Sequence, residues 1–232
     1  MLNFICLKSG NKYSPDYVNK LYNMVQRHLT VPHRFVCFTE DSQGVNKNIE
    51  IRPLPEHQHL TGWWYKPYIF KKNHFPEGDI NLYMDLDMVI VNSIDKFVSY
   101  LPEKFVGLQD VGRVFRPGYK KLGSAVMKWP AGKHHHIWDN FENNPSWIKK
   151  FHGDQDWTWH SNREHINFFP EDWIRSYKWE IRKREELNGF GRSSTFKEIR
   201  NPVIPPETSV LAFHGYPDVH DVHDPVIVEN WR

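Results

Sequence analysis

Two carboxylates, Asp85 and Asp87, stand one residue apart in INLYMDLDMVIV, residues 80–91, a run that is otherwise almost wholly apolar. Such a run reads as a strand buried on both faces of a central sheet. Side chains alternate along a strand, so both carboxylates face one way and Leu86 the other. Two buried like charges repel, and burial raises the cost further. A divalent cation relieves that conflict, and hard oxygen ligands suit magnesium or manganese. The competing reading is that both aspartates cap turns at a strand end. Ligands of open α/β sheets gather at the carboxyl ends of strands, which favours the metal reading.

The elements around this pair read as an alternating α/β chain. Residues 2–8 form an apolar strand, broken by Ser9-Gly10-Asn11. Residues 15–29 carry Tyr17, Val18, Leu21, Tyr22, Val25 and Leu29 on one helical face, with Pro15 suited to the helix start. Residues 33–38 give a second strand, so strand, helix and strand predict parallel pairing. A short strand is expected in 49–55, and residues 63–74 look helical with Pro67 in a first turn. Strands are expected at 104–108, 123–129 and 208–213, and helices at 131–143 and from 154 to 163; residues 173–186 read as mixed. No repeat or linker interrupts the chain, so one α/β domain over residues 1–232 is the simplest account.

Four stretches spanning almost the whole chain resemble the nucleotide-diphospho-sugar transferases of the GT-A fold, a Rossmann-like architecture with a central, mostly parallel sheet flanked by helices. The pattern is most similar to glycogenin-like enzymes and related bacterial and viral sugar transferases. GWWYKP places Lys66 where the family has a lysine near the donor. YMDLDMVIV matches the family's metal motif, which implies Asp85 and Asp87 as ligands and Leu86 beside the donor. GDQDW is similar to the family's Asp-Gln pair, which implies Asp154 and Gln155 at the reaction centre; Asp156 adds a further carboxylate, so the catalytic assignment between Asp154 and Asp156 stays open. FHGYP is similar to the family's His-Gly motif, which implies His214 as third ligand and Gly215 close to the diphosphate. CLKSGNKY resembles the nucleotide-binding edge, with Leu7 at it and Tyr13 a candidate for stacking on the base. Ser124 in GSAVMKW falls near the sugar, and Lys178 in SYK within reach of phosphate.

The resemblance implies a uridine diphosphate sugar as default donor, a glycan, lipid-linked or protein acceptor, and a cation. Histidine as third ligand makes manganese the first choice, with magnesium second. One departure stands out. The family usually has a Lys-Pro or Arg-Pro pair after His-Gly, where this chain has Asp218-Val219, so either Lys178 or Lys66 substitutes for the missing cation or donor affinity is weak. Retaining and inverting outcomes both remain open.

At 39% hydrophobic and 25% charged, the composition reads as that of an ordinary soluble globular protein. Thirty basic against 28 acidic residues leave a net charge of +2, which gives no footprint for nucleic acid. The cluster Arg182-Lys183-Arg184 stands beside Glu185 and Glu186 and reads as a solvated helix face. Cys6 and Cys37 lie in strand-like runs and read as buried free thiols. The N-terminus lacks a signal-peptide pattern and no apolar run approaches membrane-spanning length, so a cytoplasmic protein without a transmembrane segment is expected. Ten tryptophans exceed ordinary use; each can fill a core or stack on a sugar. Adjacent residues on a helix cannot share a face, so one of Trp63 and Trp64 belongs to the core. One of Trp157 and Trp159 is expected to wall the acceptor pocket.

Three clusters have blander readings. His134, His135 and His136 diverge on the expected helix and read as surface. His220, Asp221, His223 and Asp224 read as loop hydrogen bonding rather than a second metal site. Two rival functions are distinguishable. A sugar nucleotidyltransferase wants a Gly-rich basic loop after the first strand, whereas SGNKYSPDY has a single glycine. A non-catalytic carbohydrate- or nucleotide-sugar-binding module on the same fold would tolerate loss of the metal ligands, and all three candidates are present.

Overall fold

The computed structural model describes residues 1–56, 60–116, 118–182 and 202–232. Strand β1 (Leu2–Lys8) is buried along its whole length, as an apolar run of this kind requires. It lies inside a seven-stranded sheet between β2 (His33–Thr39) and β4 (Ile80–Met84), parallel to both. Beyond β2 comes β3 (Glu50–Pro53), also parallel. On the other side β4 pairs antiparallel with β7 (Leu122–Pro130), which pairs antiparallel with β6 (Phe105–Gln109); β8 (Ile166–Phe168) closes that edge parallel to β6. The sheet is thus mostly parallel, with β7 running against its neighbours.

Helix α1 (Pro15–His28) begins at Pro15 and buries Tyr17, Val18, Leu21, Met24 and Val25, the face that periodicity predicts plus Met24. A fully buried aliphatic of this kind contributes about 1.5–3 kcal/mol, so Leu21→Ala would cost about 2–5 kcal/mol. Cys6 and Cys37 face each other in register on β1 and β2 as buried free thiols, and burial pushes the Cys6 thiol up.

Residues 80–91 are not one strand. β4 stops at Met84, the chain turns through Leu86 and Asp87, and β5 (Met88–Ile90) enters a separate three-stranded sheet. There β5 pairs antiparallel with β10 (Val210–Ala212), which lies parallel to β9 (Ile174–Ser176). Both halves of the run are buried, which explains its continuous hydrophobicity. The alternation argument for Asp85 and Asp87 therefore does not hold, and the turn itself carries the pair.

Residues 62–70 form a 3-10 stretch rather than an α-helix, with Pro67 inside it; the short α2 (Asp95–Ser99) precedes β6. Helix α3 (His136–Asn143) begins five residues later than expected, after a turn in which His134 has φ +61°, and buries Ile137, Trp138 and Phe141. His134 is half-buried, and its ring clusters with those of His136 and His165, so this histidine is not the surface residue expected. Helix α4 spans Asp154–Asn162, and α5 (Pro225–Asn230) ends the chain. Arg182 is buried rather than solvated, while Lys183, Arg184, Glu185 and Glu186 lie outside the described residues. Among the described residues no helix is long and apolar enough to cross a membrane.

Candidate active site

The carboxylate turn sits at the carboxyl end of β4, near the start of the antiparallel β7. The Asp85 N–H donates to Ala125 O at 2.8 Å, fastening the turn to β7. The β6–β7 pairing shifts register here: Leu108 faces Gly123 while Gly107 faces Met127. Residues 124–126 thus bulge off the ladder, and a bulge re-aims side chains. A Cβ at Gly107 would lie 2.2 Å from Leu122 Cδ1, so a larger residue at the bulge makes the buried Leu122 side chain shift. The consequence is that Ser124 faces the site.

A continuous polar chain then runs through the centre. Lys66 is buried, with Nζ 2.9 Å from Asp85 Oδ1, 3.1 Å from Asp154 Oδ2 and 3.2 Å from Ser124 Oγ. The Ser124 hydroxyl donates to Asp154 Oδ2 at 2.7 Å. Gln155 Oε1 accepts from the Ser124 N–H at 3.3 Å, and its Nε2 donates to Asp110 Oδ2 at 2.6 Å. Burial works against the charge on Lys66, but Asp154 and Asp85 outweigh it and hold the ammonium protonated. Lys66 is therefore committed to two carboxylates. Asp110, at the end of β6, is a site residue that sequence reasoning missed, since nothing local in VGLQDVG marks it.

Hydroxyls orient both members of the carboxylate pair. Tyr83 donates to Asp85 Oδ1 at 2.6 Å, and Tyr13 donates to Asp87 Oδ2 at 2.8 Å. Burial first, and Asp85 second, push the Asp87 carboxyl up to about 6, against the opposing pull of Tyr13, Lys12 and Lys66. The Tyr13 ring packs on Tyr17 at 4.7 Å, so its hydroxyl holds Asp87 and its ring supports α1.

The segment after β10 comes to the same place. Ala212 pairs with Met88 in an antiparallel ladder, so His214 runs past the Leu86–Asp87 turn. Its Nε2 shares a 2.6 Å hydrogen bond with Ser176 Oγ, and its ring packs on Trp179 at 4.1 Å. Gly215 takes φ +61°, where a side chain is strained, and a Cβ there would sit 3.9 Å from Lys178 Nζ. Lys178 and Gly215 are thus neighbours, as a shared diphosphate contact requires. Asp85, Asp87 and His214 do not bring three ligand atoms within 4.8 Å of one another; among the described residues the trio that does is Asp218, His220 and Asp221. Those three are also tied into their loop, by a reciprocal cap between Asp218 and Asp221 and a 2.6 Å bond between His220 Nδ1 and Tyr17 Oη. Asp218 and Asp87 both raise the Tyr13 and Tyr17 hydroxyls, though burial is the larger influence, so the trio lies on the same side as the carboxylate turn.

Asp154 is buried, and Gln155 reaches Ser124 and Asp110. Asp156 does not join the network; two residues on, at about 100° per residue, it faces roughly away from Asp154. Leu7 and Leu86 are buried in the two core clusters on either side of the sheet. Trp64 is core, whereas Trp63 is 57% exposed and rims the start of α4, its Nε1 3.4 Å from where a Gly153 Cβ would lie.

No protein-family model matches the sequence, and no curated protein matches it. Solved structures do share its fold. The galactosyltransferase LgtC in complex with donor and acceptor sugar analogues aligns with a TM-score of 0.55 and 13% identity, over 74% of each chain. An active-site mutant of LgtC aligns with a TM-score of 0.62 and 13% identity, over 94% of this chain and 89% of that one. The glycosyltransferase GlyE of Streptococcus pneumoniae TIGR4 gives a TM-score of 0.54 and 12% identity over 77% of this chain, which spans 48% of GlyE. The chain has the GT-A glycosyltransferase fold.

Proposed function

We propose that this protein transfers a sugar from a nucleoside-diphosphate sugar, in the first instance a uridine diphosphate sugar, to a hydroxyl of a glycan, lipid-linked or protein acceptor. The observation that carries the reading is the carboxylate turn. On a GT-A fold, burial first and the neighbouring Asp85 second hold Asp87 up at about 6 at the end of β4, and the pair adjoins the buried Lys66–Asp154–Ser124–Gln155–Asp110 chain. A turn selected for stability alone would not assemble that charge.

The donor set fits a divalent cation, manganese or magnesium. Asp85 and Asp87 offer hard oxygens whose orientation Tyr83 and Tyr13 already fix, the arrangement that supports metal ligands elsewhere. Asp85 and Asp87 would hold the ion, with His214, which runs past the same turn, as the candidate third ligand, although the three do not bring ligand atoms within 4.8 Å of one another; the ion would stabilise negative charge on the departing diphosphate. Leu7 and Leu86, whose side chains are core, would meet the donor only through their backbone, beside Tyr13. Lys66 is held by Asp85 and Asp154, and Lys178 stands beside Gly215 as a second cation near the proposed diphosphate position.

In the transfer, the bond from the anomeric carbon to the diphosphate oxygen breaks, and its electron pair leaves with the diphosphate. A bond to the acceptor oxygen forms as that oxygen gives up its proton, which the departing diphosphate takes directly or through solvent. Asp154 already accepts from Ser124 and Lys66, which suits it to fixing hydroxyls of the sugar. The Gln155 carboxamide, pinned by Asp110, positions the reacting face. A panel of uridine, guanosine and adenosine diphosphate sugars tested with manganese, reading nucleoside diphosphate release and thermal shift together, should show one donor active in both and silenced by chelator. Thermal stabilisation without release from any donor would sink the transferase reading in favour of a binding module.

A further inference from the structure

The segment 136–162 turns an outward face that is rich in amides and rings. Asn143 ends α3 and Asn144 follows it; Trp147 comes next in a single 3-10 turn (Pro145–Lys149). His160 and Ser161 stand near the end of α4. Between these elements opens a cavity of about 400 Å³, lined by Asn140, Asn143, Asn144, Trp147, His160 and Ser161 and floored by the buried Trp157. That volume falls within the roughly 300–1,000 Å³ of small-molecule sites.

The chemistry of the lining is selective. Among the described residues the lining is amides, rings and a serine, with His160 its one titratable group, so hydrogen bonding and ring contact dominate over charge. Each carboxamide presents two donors and an acceptor, which match hydroxyls that both give and take hydrogen bonds. The Trp147 indole is half-buried and propped on Trp157 at 5.3 Å, with the exposed Lys150 ammonium 4.4 Å over its ring, so a sugar that stacks there displaces that lysine. An aromatic plate ringed by neutral amides is what a pyranose needs.

We propose that this cavity is a second carbohydrate site, separate from the donor centre, which takes a neutral oligosaccharide. Resting on the transferase reading above, its role is to anchor the remote part of a glycan acceptor. Helix α4 links the two places: Asp154 opens it at the polar chain and His160 lies six residues on, a rise of about 9 Å at ~1.5 Å per residue. A glycan seated by Trp147 would therefore extend along α4 toward the reacting end, and the acceptor would be an oligosaccharide rather than a single sugar.

The test uses the full chain and three neutral hexasaccharides, maltohexaose, cellohexaose and laminarihexaose, titrated against tryptophan fluorescence without metal or donor. At least one should bind saturably. Trp147→Ala should weaken it at least tenfold, and so should Asn144→Leu, an exposed position whose change spares the aromatic core. Asp87→Asn should bind the hexasaccharide as the parent does, and Trp147→Ala should hydrolyse donor at the parent rate. If no hexasaccharide binds, or if both cavity variants bind within twofold of the parent, the proposal is overturned. Donor inactivity of the parent with hexasaccharide binding intact would instead overturn the transferase reading.

Discussion

Replacing Asp87 by asparagine should make the metal-free protein more stable. Burial and the neighbouring Asp85 raise its carboxyl to about 6. Against an unfolded value near 3.9, that is a rise of about two units, at ~1.4 kcal/mol each. The ionised Asp87 therefore destabilises the fold by roughly 1–3 kcal/mol at neutral pH. The sign follows from proton binding. The folded carboxyl holds its proton more tightly than the unfolded one, so stability falls as pH rises from about 4 to about 6 and is level above that. Asparagine keeps an oxygen for the Tyr13 hydroxyl and removes the charge. At about 2–4 °C per kcal/mol for a chain of this size, Tm in chelator at pH 7.5 should rise by roughly 2–10 °C. Thermal unfolding of both proteins, followed by circular dichroism from pH 4 to 8, checks this, and the difference should shrink toward pH 4. Manganese should stabilise the parent more than the variant. An Asp87→Asn protein no more stable than the parent at pH 7.5 in chelator would refute the reasoning.

Lys66→Met leaves Asp154 and Asp85 without their buried cation and should cost about 2–4 kcal/mol by thermal unfolding; this lies below the usual ~3–5 because the Asp85 side chain is 28% exposed and partly screened, and Lys66→Arg should restore part of the loss. Asp110→Asn leaves one oxygen for two donors, the Gly112 N–H and Gln155 Nε2, so kcat should drop about tenfold with donor KM little changed and stability lowered by only about 1 kcal/mol. His214→Ala should weaken manganese binding at least tenfold; unchanged affinity, with loss on His220→Ala instead, would move the third ligand to the Asp218–His220–Asp221 loop.

The local elements were legible where pattern and packing agree. Pro15 and the apolar face from Tyr17 to Val25 read directly as α1, and the flanking strand-formers as parallel β1 and β2. The break between β4 and β5 was not legible, because both strands are buried and the run stays apolar through a turn that changes sheets. The delayed start of α3 was hidden because it depends on a positive φ at His134, a residue that tolerates it only with the surrounding turn in place. Within the site, residue types showed which side chains could act but not which would pair. Lys66 reads as a free cation until Asp154, 88 positions away, meets it across β7. Asp110 carries no local signal, since its meaning comes from Gln155 on a helix 45 positions later.

The central claim is that the Asp85–Leu86–Asp87 turn holds a divalent cation against a donor diphosphate. The most direct measurement is the disappearance of the free-manganese electron paramagnetic resonance signal as protein is added, with and without uridine diphosphate, for the parent, Asp85→Asn and Asp87→Asn. The parent should take up one manganese per chain, more tightly with the diphosphate present, and both variants should lose at least tenfold in affinity. Equal uptake by all three proteins, indifferent to the diphosphate, would contradict the claim.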